Sequence, residues 1–213
     1  MPVETTVPEF GFTTDLPLHT VAYLREGLLA LLPPFRPGAR LLDIGSGNGY
    51  WAGQFVKAGY DVVGIDPSAE GIAIARRSHP KARFEQTTVS DDLLQRIGGE
   101  PFDVITSIEV VEHLYDPRSW ARGAFSALRP GGRLICTTPY HGYFKNMALS
   151  VFNKWDRHLG PLWDGGHIKF WSRDTLGQLL GEAGFTNVQF RGAGRFPLVW
   201  MSMIMSGDRP SNT

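Results

Sequence analysis

An apolar strand running straight into alternating glycines, Leu41-Leu42-Asp43-Ile44-Gly45-Ser46-Gly47-Asn48-Gly49, restricts the fold of this chain more than any other stretch. Glycine has no Cβ, so the backbone there adopts dihedrals closed to other residues and lets a ligand approach closely. Tyr50 to Ala58 then reads as a helix, closed by Gly59 at the place of a left-handed cap. A strand, a glycine turn and a helix open the α/β folds that hold nucleotides. A dinucleotide site needs its third glycine one position later, where a pyrophosphate rests on the helix start. Here Gly49 comes early and Tyr50 fills that place, so the turn suits a ligand without pyrophosphate.

The same rhythm runs on. Leu18–Leu32 carries Val21, Leu24, Leu28 and Leu31 at helical spacing and stops at Pro33-Pro34. Apolar strands are predicted at Arg40–Ile44, Asp61–Ile65, Ala82–Glu85, Phe102–Ile108 and Arg133–Thr138. Helices are predicted between them at Ser68–Ser78, Asp91–Ile97 and Pro117–Leu128. Such alternation implies right-handed crossovers and a parallel sheet covered on both faces, with ligands beyond the carboxyl ends of its strands. The 213 residues suit one domain, 1–213, with an amino-terminal helical cap over 1–36. An insert at 139–170 interrupts the rhythm with Tyr140, Tyr143, Phe144, Phe152, Trp155 and Trp163. It follows a strand's carboxyl end, so it reads either as a lid or as extra packing over the core. Ser172–Gly184 then predicts a helix, Asn187–Arg191 a strand, and Leu198–Met205 a closing strand within the apolar run Phe196–Met205.

Four segments taken in order carry a resemblance. Asp43 to Gly49, the acidic end of Val62-Val63-Gly64-Ile65-Asp66-Pro67, Phe102 to Glu109, and Leu128-Arg129-Pro130-Gly131-Gly132-Arg133 resemble the motifs of class I S-adenosylmethionine-dependent methyltransferases. The resemblance implies a Rossmann-like seven-stranded sheet of order 3-2-1-4-5-7-6 with strand seven antiparallel. It also implies that Asp43 and the turn from Gly45 through Ser46 and Gly47 to Gly49 line the methionine and ribose side, backbone amides cradling the nucleoside. Asp66 would take the ribose hydroxyls, with Pro67 and Ser68 beside the adenine, Thr88 and Val89 at its edge, and the Ile108 backbone facing the methionine.

The chemistry side centres on Glu109-Val110-Val111-Glu112-His113. If these residues begin a helix, positions three and four apart share one face and the two carboxyls and the imidazole point together. With His167 they would surround the acceptor, as general base or as ligands of a divalent cation such as magnesium or zinc. The segment is similar to ubiquinone-biosynthesis O-methyltransferases and, with His167 and Lys169-Phe170, to small-RNA 2′-O-methyltransferases. His141 opens the insert and reads either as a group reaching the acceptor or as a locally bonded loop histidine. His19, His79 and His158 read as surface or structural.

Lysine plus arginine equal aspartate plus glutamate at 21 each, so no extended basic field is available for a nucleic acid. The expectation is a methyltransferase for a small hydroxyl acceptor, aromatic if the insert stacks against it. N- or C-methylation, an RNA 3′ terminus and a non-catalytic binding module remain alternatives; a nicotinamide-dependent oxidoreductase is disfavoured by Tyr50. The lone Cys136 reads as a small core residue and fits a reducing, cytoplasmic setting. Met1-Pro2-Val3-Glu4 shows neither a basic start nor an apolar signal core, and no run reaches the ~18 apolar residues of a membrane helix.

Overall fold

The computed structural model describes residues 11–211, so Met1–Glu4 and the first part of the expected cap lie outside the described residues. The elements are α1 (Val21–Leu29), β1 (Arg40–Ile44), α2 (Tyr50–Lys57), β2 (Asp61–Asp66), α3 (Ala69–Ser78), β3 (Arg83–Gln86), α4 (Leu93–Ile97), β4 (Phe102–Ile108) and α5 (Pro117–Ala127). There follow β5 (Leu128–Pro139), α6 (Tyr143–Val151), α7 (Trp155–Leu159), α8 (Arg173–Glu182), β6 (Thr186–Ala193) and β7 (Ser202–Asp208). The strands form one seven-stranded sheet in the order β3-β2-β1-β4-β5-β7-β6. Pairing is parallel from β3 to β5, whereas β7 runs antiparallel to both β5 and β6.

Alternation along the strands builds two cores. Leu42 and Ile44 of β1, Val63 and Ile65 of β2, Ile105 of β4, Leu134 of β5 and Met203 of β7 pack with Trp120, Ala124, Leu176 and Leu180 of α5 and α8. Their neighbours Leu41, Val62, Val104, Ile135 and Ile204 pack on the other face with Leu24, Leu28, Phe55, Ile72 and Ala75 of α1, α2 and α3. A residue period of two with both faces covered explains why these strands read as continuous apolar runs. Cys136 is buried in the first cluster, where desolvation pushes its thiol up to about 12.

The ends of elements differ from expectation where tertiary contacts decide them. The fifth strand begins at Leu128 because Leu128 pairs Phe102, and a bulge then absorbs the Pro130-Gly131-Gly132 stretch before Arg133 pairs Val104. The closing strand starts at Ser202, not Leu198, and extends to Asp208. Its polar end is held because Asp208 accepts from Arg133 Nε at 2.7 Å and Nη2 at 3.1 Å, a bidentate pair between β5 and β7. Phe196 and Leu198, expected in a buried strand, are 74% and 49% exposed. The insert is helical, supplying α6 and α7, and α1 is shorter than predicted at both ends. Ser172 caps α8 through a capping box with Thr175, which sets its start.

Trp120 is fully buried between α5 and the sheet, and its indole Nε1 donates to Ser107 Oγ at 3.2 Å. Trp120→Ala should lower unfolding free energy by ~3–5 kcal/mol in urea titration, as large-to-small changes in a packed core do. A loss under about 1 kcal/mol would contradict this packing.

Candidate active site

β1 and β4 are neighbours in the sheet while the chain between them visits β2 and β3. The strand order therefore reverses at β1, and a crevice opens beyond the carboxyl ends there. Gly45, Gly47 and Gly49 occupy it with φ of 76°, 50° and 81°, conformations costly for any residue with a Cβ. A Cβ at Gly45 would also collide with Val110, and one at Gly47 with Phe12. The amides of this turn are already bound: Gly45 and Ser46 N–H donate to the Ile65 carbonyl at 2.8 and 3.0 Å. Gly47 N–H donates to Asp66 Oδ2 at 2.9 Å, and Ser68 N–H to Asp66 Oδ1 at 2.8 Å. The expected amide cradle is thus a rigid, Cβ-free floor whose donors are largely turned to β2.

Over this floor lies a cavity of about 2260 Å³. That exceeds the ~300–1,000 Å³ of an ordinary single-ligand pocket and leaves room for a cofactor and an acceptor together. Gly45, Ser46, Gly47, Asp66, Pro67, Ser68, Thr88, Val89 and Ile108 all line it. Asp43 and Gly49 do not. Asp43 is buried in the sheet, accepts from Thr106 Oγ1 at 2.7 Å, and is pushed up to about 7 by desolvation. Gly49 packs against Ala75 of α3 and His79 just after it, where a side chain has no room. Asn48 was not foreseen as a site residue: its Nδ2 donates to the carbonyls of Thr14 at 2.8 Å and Leu16 at 3.0 Å. It fastens the chain before α1 beside the turn, so that Phe12, Leu18, His19 and Thr20 also line the cavity.

Glu109, Glu112, His113 and His167 line the cavity as well, but the expected helix is absent. Glu109 has φ 55°, left-handed, which ends β4, and only Val111–His113 forms a single 3₁₀ turn. Glu109 is consequently turned aside. It accepts from Thr137 Oγ1 at 2.8 Å and Ser202 Oγ at 3.3 Å, and burial pushes it up to about 7.

The remaining three converge: ligand atoms of Glu112, His113 and His167 all lie within 4.8 Å of one another. Glu112 is 1% exposed, neither carboxyl oxygen is within hydrogen-bond geometry of a partner among the described residues, and desolvation with the nearby Glu109 pushes it well up. Its own backbone carbonyl accepts from Ile168 and Lys169 N–H at 2.9 and 3.0 Å, which docks the His167 segment on the turn. His113 Nδ1 lies 2.7 Å from the Gly165 carbonyl, so that nitrogen carries the proton and Nε2 is the basic one. His141 sits behind the wall, stacked on Trp155 with its Nδ1 against Asn146. His19 and His158, read from sequence as surface or structural, instead line the cavity, as does Lys145. Lysine in the midst of the apolar α6 was the available signal for the latter.

A seven-stranded sheet of this order, with a glycine turn tied to an acid at the end of the second strand, defines the S-adenosylmethionine-dependent methyltransferases. The chain belongs to the family described as methyltransferase domain, whose model matches residues 18–190. It is 32% identical to a ubiquinone biosynthesis O-methyltransferase of Cereibacter sphaeroides, over 84% of this chain and 72% of that one. A protein of the same description from Ruegeria pomeroyi is 32% identical over 82% and 71%. In fold it is similar to an S-adenosylmethionine-dependent methyltransferase from Mesorhizobium loti, with TM-score 0.66 and 18% identity, covering 86% of this chain and 96% of that one. Phosphoethanolamine N-methyltransferase 2 of Haemonchus contortus also superposes with TM-score 0.66 at 18% identity, covering 88% and 52%. Among the described residues no helix is long and apolar enough to cross a membrane.

Two measurements test the site. Asp66→Asn should weaken S-adenosylhomocysteine at least about tenfold by calorimetry, since one change removes a charged acceptor and loosens the turn. An unchanged affinity would remove Asp66 from the cofactor site. The second is a stability profile. Burial holds His141, His158 and His167 at about 4, below the ordinary 6.5. Between those values the unfolded chain binds more protons, so stability is complete above pH 6.5 and falls toward pH 4. Asp43 and Glu109, raised to about 7, act oppositely: their contribution is lost as pH rises through 7. In the melting-temperature profile His141→Gln should flatten the loss between pH 6.5 and 4, and Glu109→Gln the opposing limb between pH 4.5 and 7. Limbs unaltered in both variants would contradict these assignments.

Proposed function

We propose that this enzyme methylates an oxygen of a small hydroxyl-bearing molecule held between the cofactor floor and the insert. The supporting observation is the convergence of Glu112, His113 and His167 on the cavity that the glycine turn also lines. Methyl transfer is an in-line displacement, and its acceptor hydroxyl must shed a proton as the new bond forms. His113 presents a basic Nε2 because its Nδ1–H is held by the Gly165 carbonyl. Burial lowers its basicity, so it is neutral at pH 7 and ready to accept that proton. Asp66 would hold the ribose hydroxyls and the Ile108–Glu109 segment would face the methionine portion. The products are S-adenosylhomocysteine and a methyl ether.

The same three side chains fit a divalent cation. A buried carboxyl with no hydrogen-bonded partner among the described residues, beside two imidazoles kept neutral by burial, is a donor set of one oxygen and two nitrogens. It suits zinc better than magnesium, which favours oxygen alone. Such a cation, when bound, would lower the pKa of the acceptor hydroxyl. The O-methyltransferase relatives support oxygen as the acceptor atom. The reduced, buried Cys136 is in keeping with a cytoplasmic enzyme.

A panel of phenols and catechols, with products read by mass spectrometry, tests this. Methyl ethers should form, and Glu112→Gln or His167→Asn should lower kcat at least about tenfold while leaving S-adenosylhomocysteine affinity intact. Chelation should produce a similar loss, restored by zinc or magnesium. Activity indifferent to chelator but lost in His113→Asn assigns the base without metal. Transfer to nitrogen or carbon alone would overturn the proposal.

A further inference from the structure

Helix α6 is built inside out. Tyr143, Phe144, Met147 and Val151 are exposed, and its one buried residue is a lysine. Lys145 is 6% exposed and shares a face with Leu149 and Phe152, and all three line the cavity. Its Nζ donates to the Met201 carbonyl at 3.0 Å, which uses one of three N–H donors. Among the described residues no carboxylate lies within ion-pair distance of it.

Two further nitrogen groups lie within electrostatic reach of Lys145. Arg195 lines the cavity from the loop before β7 with φ 56°, a strained conformation for a non-glycine residue. The hydrogen bonds and ion pairs among the described residues give its guanidinium no partner. His158 Nε2 is buried and also without a hydrogen bond among the described residues. Lys154 and Arg157 also line the cavity. The acids lining the cavity are Asp66, Glu109, Glu112 and Asp116; Asp66 belongs to the cofactor floor, and Glu109 is engaged with Thr137 and Ser202.

We propose that Lys145 and Arg195 form an anion subsite, so that the methyl acceptor carries a carboxylate or phosphate group. This rests on the reading that the cavity holds a hydroxyl acceptor, and it narrows that acceptor's class. A buried ammonium with unused donors is stabilised by a charged oxygen ligand more than by any neutral one. Burial lowers Lys145 to about 8, which leaves it charged at neutral pH. Leu149, Phe152, Phe196 and Val199 on the same wall supply apolar surface, so the acceptor pairs its anionic group with an apolar body.

Calorimetry on the full chain loaded with S-adenosylhomocysteine decides it, with phenol, 4-hydroxybenzoate and phenyl phosphate as probes. At least one anionic probe should bind about tenfold or more tightly than phenol, the advantage shrinking with added salt. A gain for 4-hydroxybenzoate identifies a carboxylate, and one for phenyl phosphate a phosphate. Lys145→Met and Arg195→Gln should each reduce the gain, while Lys145→Arg keeps most of it and shows that the fold tolerates change there. Equal affinities, no binding of any probe, or a gain undiminished in Lys145→Met overturns the proposal. So does loss of S-adenosylhomocysteine affinity in Lys145→Met, which would assign the ammonium to the cofactor's own carboxylate. Anionic preference without ether formation on any hydroxyl would retain the subsite and reject oxygen as the methylated atom.

Discussion

The closure of the glycine turn onto the end of β2 is the constraint from which the site follows. Ile65 and Asp66 together take the N–H groups of Gly45, Ser46 and Gly47, so the first two strands end as one locked corner. That corner holds the chain in left-handed conformations that glycine alone tolerates cheaply. It also fixes Asp66 with both carboxylate oxygens oriented before any ligand arrives. Preorganisation of this kind lowers the cost of binding, because little remains to be ordered.

The acceptor side works under a different restraint, the suppression of charge by burial. Asp43 and Glu109 are raised toward neutrality, and the histidines of the insert are pushed down to about 4. Near pH 7 these three histidines are therefore uncharged, and Asp43 and Glu109 are about half protonated. Neutral imidazoles are also the form that accepts a proton or binds a metal. Lys145, though buried, keeps its charge beside them.

The sequence was most legible where one rule dominated. Strands buried on both faces, such as Leu41–Ile44 and Val62–Ile65, had to be continuous apolar runs, and the glycine spacing placed the turn. It was least legible where an apolar residue lines a cavity. Phe196, which lines the cavity, read as strand because hydrophobicity alone does not separate a core from a ligand chamber. The helix expected at Glu109 failed on a single left-handed residue that no periodicity reveals. The insert's helices were masked by its aromatic content, and the inversion of α6 shows why. With the apolar face outward and Lys145 inward, the usual amphipathic rule points the wrong way.

The reversed direction of β7 has a consequence for how the two halves of the pocket are inherited along the chain. Parallel strands offer their last residues to the ligand edge, whereas an antiparallel one offers its first: Ser202 pairs with Pro139, the final residue of β5. The segment preceding β7, far downstream in sequence, thereby becomes a second rim opposite in polarity to the glycine corner. On the proposed reading, changes of length or composition there would alter which molecule is admitted while the glycine corner, encoded some 150 residues earlier, stays untouched. Selectivity and cofactor use are thus written in separable stretches of one polypeptide.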